Sequence, residues 1–155
     1  MKNKLLILLL CVAFLNACSW RVCFYVLNNS DKPVSVEIKL NKKITSFPIF
    51  HYNRFIARSE KKEKINYENQ SDIKADTLED YSHIKIFVPA HMALEIGQLQ
   101  NDKYEKHDQY FINGRVFNLE WLIIGDGEKE TKITPASFDN FFRKGKYGDV
   151  VCPVQ

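Results

Sequence analysis

The chain has 155 residues, of which 45% are hydrophobic, 26% charged and 13% aromatic, and its formal net charge is +3. That profile belongs to one globular domain and excludes a disordered polymer or a repeat array. So small a charge leaves no field strong enough to gather nucleic acid, and no such partner is expected.

The anomaly is at the front. Lys2 and Lys4 precede an almost unbroken apolar run over residues 5–15, and Leu15-Asn16-Ala17-Cys18 follows. Positive, then apolar, then small is the order of a secretory leader, which is set aside from fold reasoning. A membrane-crossing helix needs about 20 apolar residues, and this run has about half of that, so it reads as cleavable. The tetrapeptide resembles the lipobox of bacterial lipoproteins, with Leu15 three positions before the cut, Ala17 immediately before it and Cys18 immediately after. Asn16 departs from the Ser, Ala or Thr usual at its position.

The resemblance implies that the Cys18 sulfur takes a diacylglycerol, that signal peptidase II removes residues 1–17, and that the new amino group is acylated. No other cofactor is expected. Cys11 follows Leu8-Leu9-Leu10 without a small residue before it, and is expected to leave with the leader. Residues 18–155 would then form a single domain, its charge reduced to +1 by the loss of Lys2 and Lys4. Because Ser19 and not Asp follows the cysteine, the resemblance implies the outer membrane. Residues 19–22 lack an acidic stretch, which implies its periplasmic face; in a cell with one membrane the same signal implies the outer face. Trp20 and Arg21 are the expected membrane-interface residues, since an indole favours the headgroup boundary and a guanidinium can meet phosphate. Packing of Trp20 against the domain is the equal alternative.

Residues 22–27 are β-branched or aromatic and end in the turn cluster 28–33, which predicts a first strand. Val34, Val36, Ile38 and Leu40 alternate with Ser35, Glu37 and Lys39, the period of a half-buried strand. Residues 44–49 read as a further strand, with Pro48 at an edge or an end. Residues 50–57 and 65–67 flank the mixed-charge run 58–64, expected to be a solvated hairpin tip. The polar, acidic stretch 69–82 reads as a long loop. Residues 84–88 and 92–99 predict two strands bent apart at Pro89-Ala90. Asn113-Gly114 and Gly125-Asp126-Gly127 each signal a hairpin turn.

Thr134 as cap, Pro135 at the first position and Phe138, Phe141 and Phe142 at spacings of three and four predict a helix that stops at Gly145. Residues 150–154 complete the chain as a last strand. The expected fold is mainly β, an antiparallel β-sandwich or flattened barrel with one short C-terminal α-helix.

Chemistry is sparse. There is no Gly-x-Ser-x-Gly elbow and no glycine-rich phosphate loop, and His51, His83, His91 and His107 have no metal-ligand spacing. Among Glu79, Asp80, Glu95 and Glu120 nothing singles out an acid pair. No catalytic residue and no metal site is expected. Cys23 and Cys152, near opposite ends of the mature chain, are expected to form a disulfide in an oxidising compartment, which requires neighbouring first and last strands; two buried, inert thiols are the alternative. The candidate contact surface is the aromatic stretch Phe47, Phe50, Tyr52 and Phe55 or the long loop from Asn69 to Ser82, with ordinary core the alternative for the aromatics.

The expected function is therefore non-enzymatic. A domain tethered to membrane lipid through Cys18 would bind another envelope protein or serve as a scaffold; an inhibitor or immunity protein acting on a lysozyme-like or toxin enzyme in the periplasm is the other class.

Overall fold

The computed structural model describes residues 19–41, 47–50, 55–60, 65–79, 82–145 and 147–155. The expected leader and Cys18 lie outside the described residues, as do His51, Tyr52 and Asp80 and the first half of the strand expected over 44–49. No helix among the described residues is long and apolar enough to cross a membrane.

Among the described residues, eleven strands and one α-helix follow in order: β1 (Arg21–Asn28), β2 (Val34–Leu40), β3 (Ile56–Glu60), β4 (Ile65–Asp72), β5 (Asp76–Glu79), β6 (His83–Val88), β7 (Met92–Gln100), β8 (Leu119–Gly125), β9 (Glu130–Ile133), α1 (Pro135–Phe141), β10 (Arg143–Lys144) and β11 (Val150–Val154). They form a six-stranded sheet ordered β10-β11-β1-β7-β3-β4 and a five-stranded sheet ordered β5-β6-β2-β8-β9. The result is a mainly β, two-sheet sandwich with one short helix, and not a closed barrel. Between these strands every pairing is antiparallel except that of β1 with β11.

The alternation in β2 has its expected cause. Val34, Val36, Ile38 and Leu40 are buried while the residues between them are half-exposed. Each full burial of such a side chain stabilises the fold by roughly 1.5–3 kcal/mol before conformational entropy is counted. β1 lies in mid-sheet and behaves differently: Val22, Phe24 and Val26 enter the core between the sheets, and Cys23, Tyr25 and Leu27 are buried on the outer face as well. Opposite Phe24 a β-bulge inserts Ile96, so Leu94, Ile96 and Leu99 of β7 all reach the core while Glu95 points outward beside Tyr25.

The β8–β9 hairpin forms at Gly125-Asp126-Gly127 as expected. Gly127 takes φ +94°, and the Asp126 carboxylate accepts the Glu128 and Lys129 N–H groups at 2.9 and 2.8 Å, which hold its pKa below the usual range. Thr134 starts α1, and its N–H donates to Ser137 Oγ at 2.9 Å. The helix ends at Phe141, earlier than expected, because Arg143 and Lys144 pair with Val151 and Val150 as β10. Phe138 is the centre of an aromatic cluster with Phe24, Phe50, Tyr104, Phe117 and Phe142, ring centroids 4.0–6.1 Å away, and it closes the end of the sandwich where β1 begins.

Two local expectations fail. Residues 69–82 are not a long loop: β4 runs through Asp72 and β5 covers Asp76–Glu79, their polar composition suiting an edge strand whose side chains face water. Asn113-Gly114 does not join two strands but belongs to a single 3-10 turn, Ile112–Gly114. Of the segment around Pro48, the described residues make only isolated bridges, Pro48 to Val116 and Phe50 to Gly97.

Candidate functional site

Three places in this fold gather side chains in ways that packing alone does not require. The first is a buried polar cluster on the outer face of the six-stranded sheet. Register puts Tyr25 beside Glu95, and Arg58 beside Ala93, so Tyr25, Glu95 and Arg58 share one face. The Tyr25 hydroxyl donates to Glu95 Oε2 at 3.1 Å and accepts from Arg58 Nε at 3.1 Å; Arg58 Nη2 approaches the same carboxylate oxygen at 3.4 Å. Arg58 Nη1 donates to the Tyr67 carbonyl at 2.9 Å, and the guanidinium carbon lies 5.7 Å from the centre of the Tyr67 ring.

The Tyr67 hydroxyl donates to Asp149, whose other oxygen accepts the Cys23 N–H at 2.9 Å. β3, β7 and β1 stand between Tyr67 on β4 and Asp149 before β11, so a flat sheet would hold them roughly 19 Å apart at about 4.8 Å per strand. The sheet therefore curls until β4 arches over its outer face. That is why Arg58 and Glu95, at the end of a charge run and on a strand face that would otherwise be wet, are each only 4% exposed along their side chains. Arg58 thus corrects the expectation of a solvated tip, and Glu95 stands out from the other carboxylates for a reason no spacing in the sequence announces.

This cluster holds charge and protons still. Burial, with the neighbouring Cys23 and Glu95, pushes the Tyr25 phenol far above its ordinary range. Burial, then the charges of Glu95 and Asp149, pushes the Cys23 thiol up to about 11. Burial alone pushes Cys152 up to about 12. Neither thiol is poised as a nucleophile, since the thiolate is the reactive form.

The expected disulfide is also corrected: both cysteines are free. β1 and β11 are neighbours, as a bridge would demand, but they run parallel with Val26 opposite Cys152. Cys23 lies three residues before Val26, an odd offset, so its side chain leaves the opposite face of the sheet. Three residues of strand rise also separate the two backbones by roughly 10 Å along the sheet, beyond disulfide reach.

The second place is a cleft of about 260 Å³ on the flank where β9 ends one sheet and β11 nears the edge of the other. Ile124, Ile133, Phe141, Cys152 and Val154 give it an apolar lining, with Asp126 and Lys129 at one side. Among the described residues, β10 covers β11 only opposite Val150 and Val151, and β9 pairs with β8 alone. Two strand edges thus border an apolar floor, the arrangement into which an extended segment can add by main-chain hydrogen bonds.

The third place is the end where the described chain begins. Trp20 is 42% exposed and Arg21 is exposed. Trp20 is tied down by its backbone: its N–H donates to Asn101 Oδ1 at 3.2 Å and its carbonyl accepts the Asn101 N–H at 2.9 Å. The aromatic stretch divides between core and surface, with Phe50 and Phe55 buried and Phe47 64% exposed.

The described histidines each meet one carboxylate: His83 with Glu37 at 2.6 Å, His91 with Asp31 at 3.0 Å and His107 with Asp139 at 2.8 Å. No group of three or more metal-ligating side chains occurs among the described residues. Desolvation opposes ionisation of Asp139, yet hydrogen bonds from Tyr104 and from the ring and backbone of His107 hold its pKa below the usual range, so α1 fastens the segment that follows β7. No protein-family model, no curated protein and no solved structure matches the chain.

Proposed function

We propose that this protein is a lipid-anchored, non-enzymatic binding domain of a bacterial cell envelope. In this reading residues 1–17 are removed, Cys18 carries a diacylglycerol and an N-acyl chain, and the domain stands on the periplasmic face of the outer membrane. The observation that carries it is the junction of a lipobox-like sequence with a fold whose first strand begins at Arg21, three residues after the acylated position. At about 3.5 Å per residue such a tether holds the domain within roughly 10 Å of the lipid. The buried Tyr25, Arg58, Glu95 and Asp149 cluster supports a binding reading over a catalytic one, because each of its groups is already committed to another within the protein. The flank cleft between β9 and β11 is the proposed place for an envelope-protein partner, which would lay an extended segment along one of the two edges.

The anchoring is tested by growing cells with an alkyne analogue of palmitate and following label and mass. The intact chain takes up label and migrates as a mature species starting at Cys18, whereas Cys18→Ala takes up none and retains the leader. Equal labelling of Cys18→Ala, or a wild-type mass without acyl chains, overturns the reading.

A further inference from the structure

Several exposed apolar side chains collect beside Trp20, although they come from distant parts of the sequence. Asn101 bonds the Trp20 backbone, and the next residue, Asp102, accepts the Ile112 N–H at 2.6 Å. Arg21 pairs with Gln100, whose side-chain oxygen lies 3.4 Å from Arg115 Nη2. The Phe47 carbonyl accepts the N–H of Val116, next in the chain to Arg115, at 3.2 Å. Around this end Tyr110 is 89% exposed, Phe47 64% and Ile112 57%. Exposed apolar residues scattered singly need no explanation, but a group of them at one end of a domain does.

Two further features mark this end. Phe47 holds φ +51°, a left-handed conformation costly for an aromatic residue. Arg115 is half-buried: its Nε is enclosed without a hydrogen-bond partner, while its Nη2 remains at the surface with only a long, 3.4 Å contact to Gln100 Oε1.

We propose that this end of the sandwich is a second, non-covalent membrane contact, in which Trp20, Tyr110 and Ile112 enter the headgroup boundary and Arg21 and Arg115 bond lipid phosphate. The inference rests on the anchoring reading, since Cys18 stands two residues before Trp20 and so fixes the bilayer within about 7 Å of it. Aromatic and aliphatic side chains flanked by arginine suit that boundary. β1 then leads away from the bilayer, and the β8–β9 turn stands at the far end, because β2 returns beside β8 with Ser35 opposite Gly125. The domain is held in one orientation, with the flank cleft open to the periplasm.

The full lipoprotein, purified in detergent and reconstituted into vesicles of phosphatidylethanolamine and phosphatidylglycerol, provides the test. Tyr110→Cys, Ile112→Cys and, as the distal reference, Glu128→Cys are spin-labelled separately, and collisions with oxygen and with a water-soluble nickel chelate are measured. Mass spectrometry of each sample records the acyl chains, and circular dichroism records the fold. The expected result is a ratio of oxygen to nickel collisions several-fold higher at 110 and 112 than at 128. Acylated, folded protein with all three labels equally open to the nickel chelate overturns the second contact and leaves the anchor standing. A sample without acyl chains overturns the anchoring reading and the inference with it.

Discussion

Replacing Arg58 by Met probes the buried cluster most directly. The substitution keeps volume and aliphatic contacts while removing the charge that faces Glu95, and leaves a carboxylate 4% exposed with the Tyr25 hydroxyl at 3.1 Å as its nearby donor. Breaking a buried ion pair by removing one partner costs about 3–5 kcal/mol, because the desolvated charge that remains is uncompensated. With a urea dependence of about 2 kcal/mol per molar for a domain of this size, the unfolding midpoint at pH 7 should fall by roughly 1.5–2.5 M.

The triple variant Tyr25→Phe, Arg58→Met, Glu95→Leu removes the polar groups together, and should return to within about 1–2 kcal/mol of the wild type. Equilibrium urea unfolding of residues 19–155 with fluorescence detection is the assay. A loss below about 1 kcal/mol, the value of an exposed pair, or a triple variant no more stable than the single one, would refute the reasoning.

The remaining expectations concern thiols, alkali and close packing. With its pKa raised from 9.0 to about 11, Cys23 should carry about 100-fold less thiolate at pH 8 than an ordinary cysteine, and Cys152 less still. Iodoacetamide should therefore modify neither thiol in the native protein within minutes yet both in guanidinium, as read by mass; native modification at the rate of free cysteine would contradict the burial. The folded state keeps protons on Cys23, Cys152, Tyr25, Tyr67 and Tyr104 that the unfolded chain releases, so stability is full below about pH 9 and falls as pH rises toward the folded values. Urea midpoints measured from pH 7 to 10.5 should decline steadily above pH 9, and a flat profile would count against it. Gly97→Ala would place a Cβ 2.5 Å from the Ile49 carbonyl oxygen, a clash with backbone that no rotamer relieves. Overpacking of this kind costs about 1–3 kcal/mol and should lower the melting temperature by roughly 3–10 °C in calorimetry, whereas an unchanged melt would mean that residues 49 and 50 do not lie against β7.

What the sequence determined is what local periodicity and local capping can record. Alternation in residues 34–40 reports one buried face, Gly125-Asp126-Gly127 carries its own turn chemistry, and Thr134-Pro135 opens a helix from within four residues; each of these stands in the fold. The same local reading could not see the curl of the six-stranded sheet. That curl covers Arg58 and Glu95, turning an arginine of a charge run and a carboxylate on an outer strand face into a buried pair, while pairing with β3 and with β6, in two different sheets, makes strands of residues that composition assigns to a loop. Nor could it see the faces on which two distant cysteines lie. The neighbourhood of first and last strands is necessary for a bridge, but the parallel register and its odd offset decide the matter. Which strand lies beside which, and in what register, is set by pairing and burial summed over the whole sandwich, so it is written in no single segment of the chain.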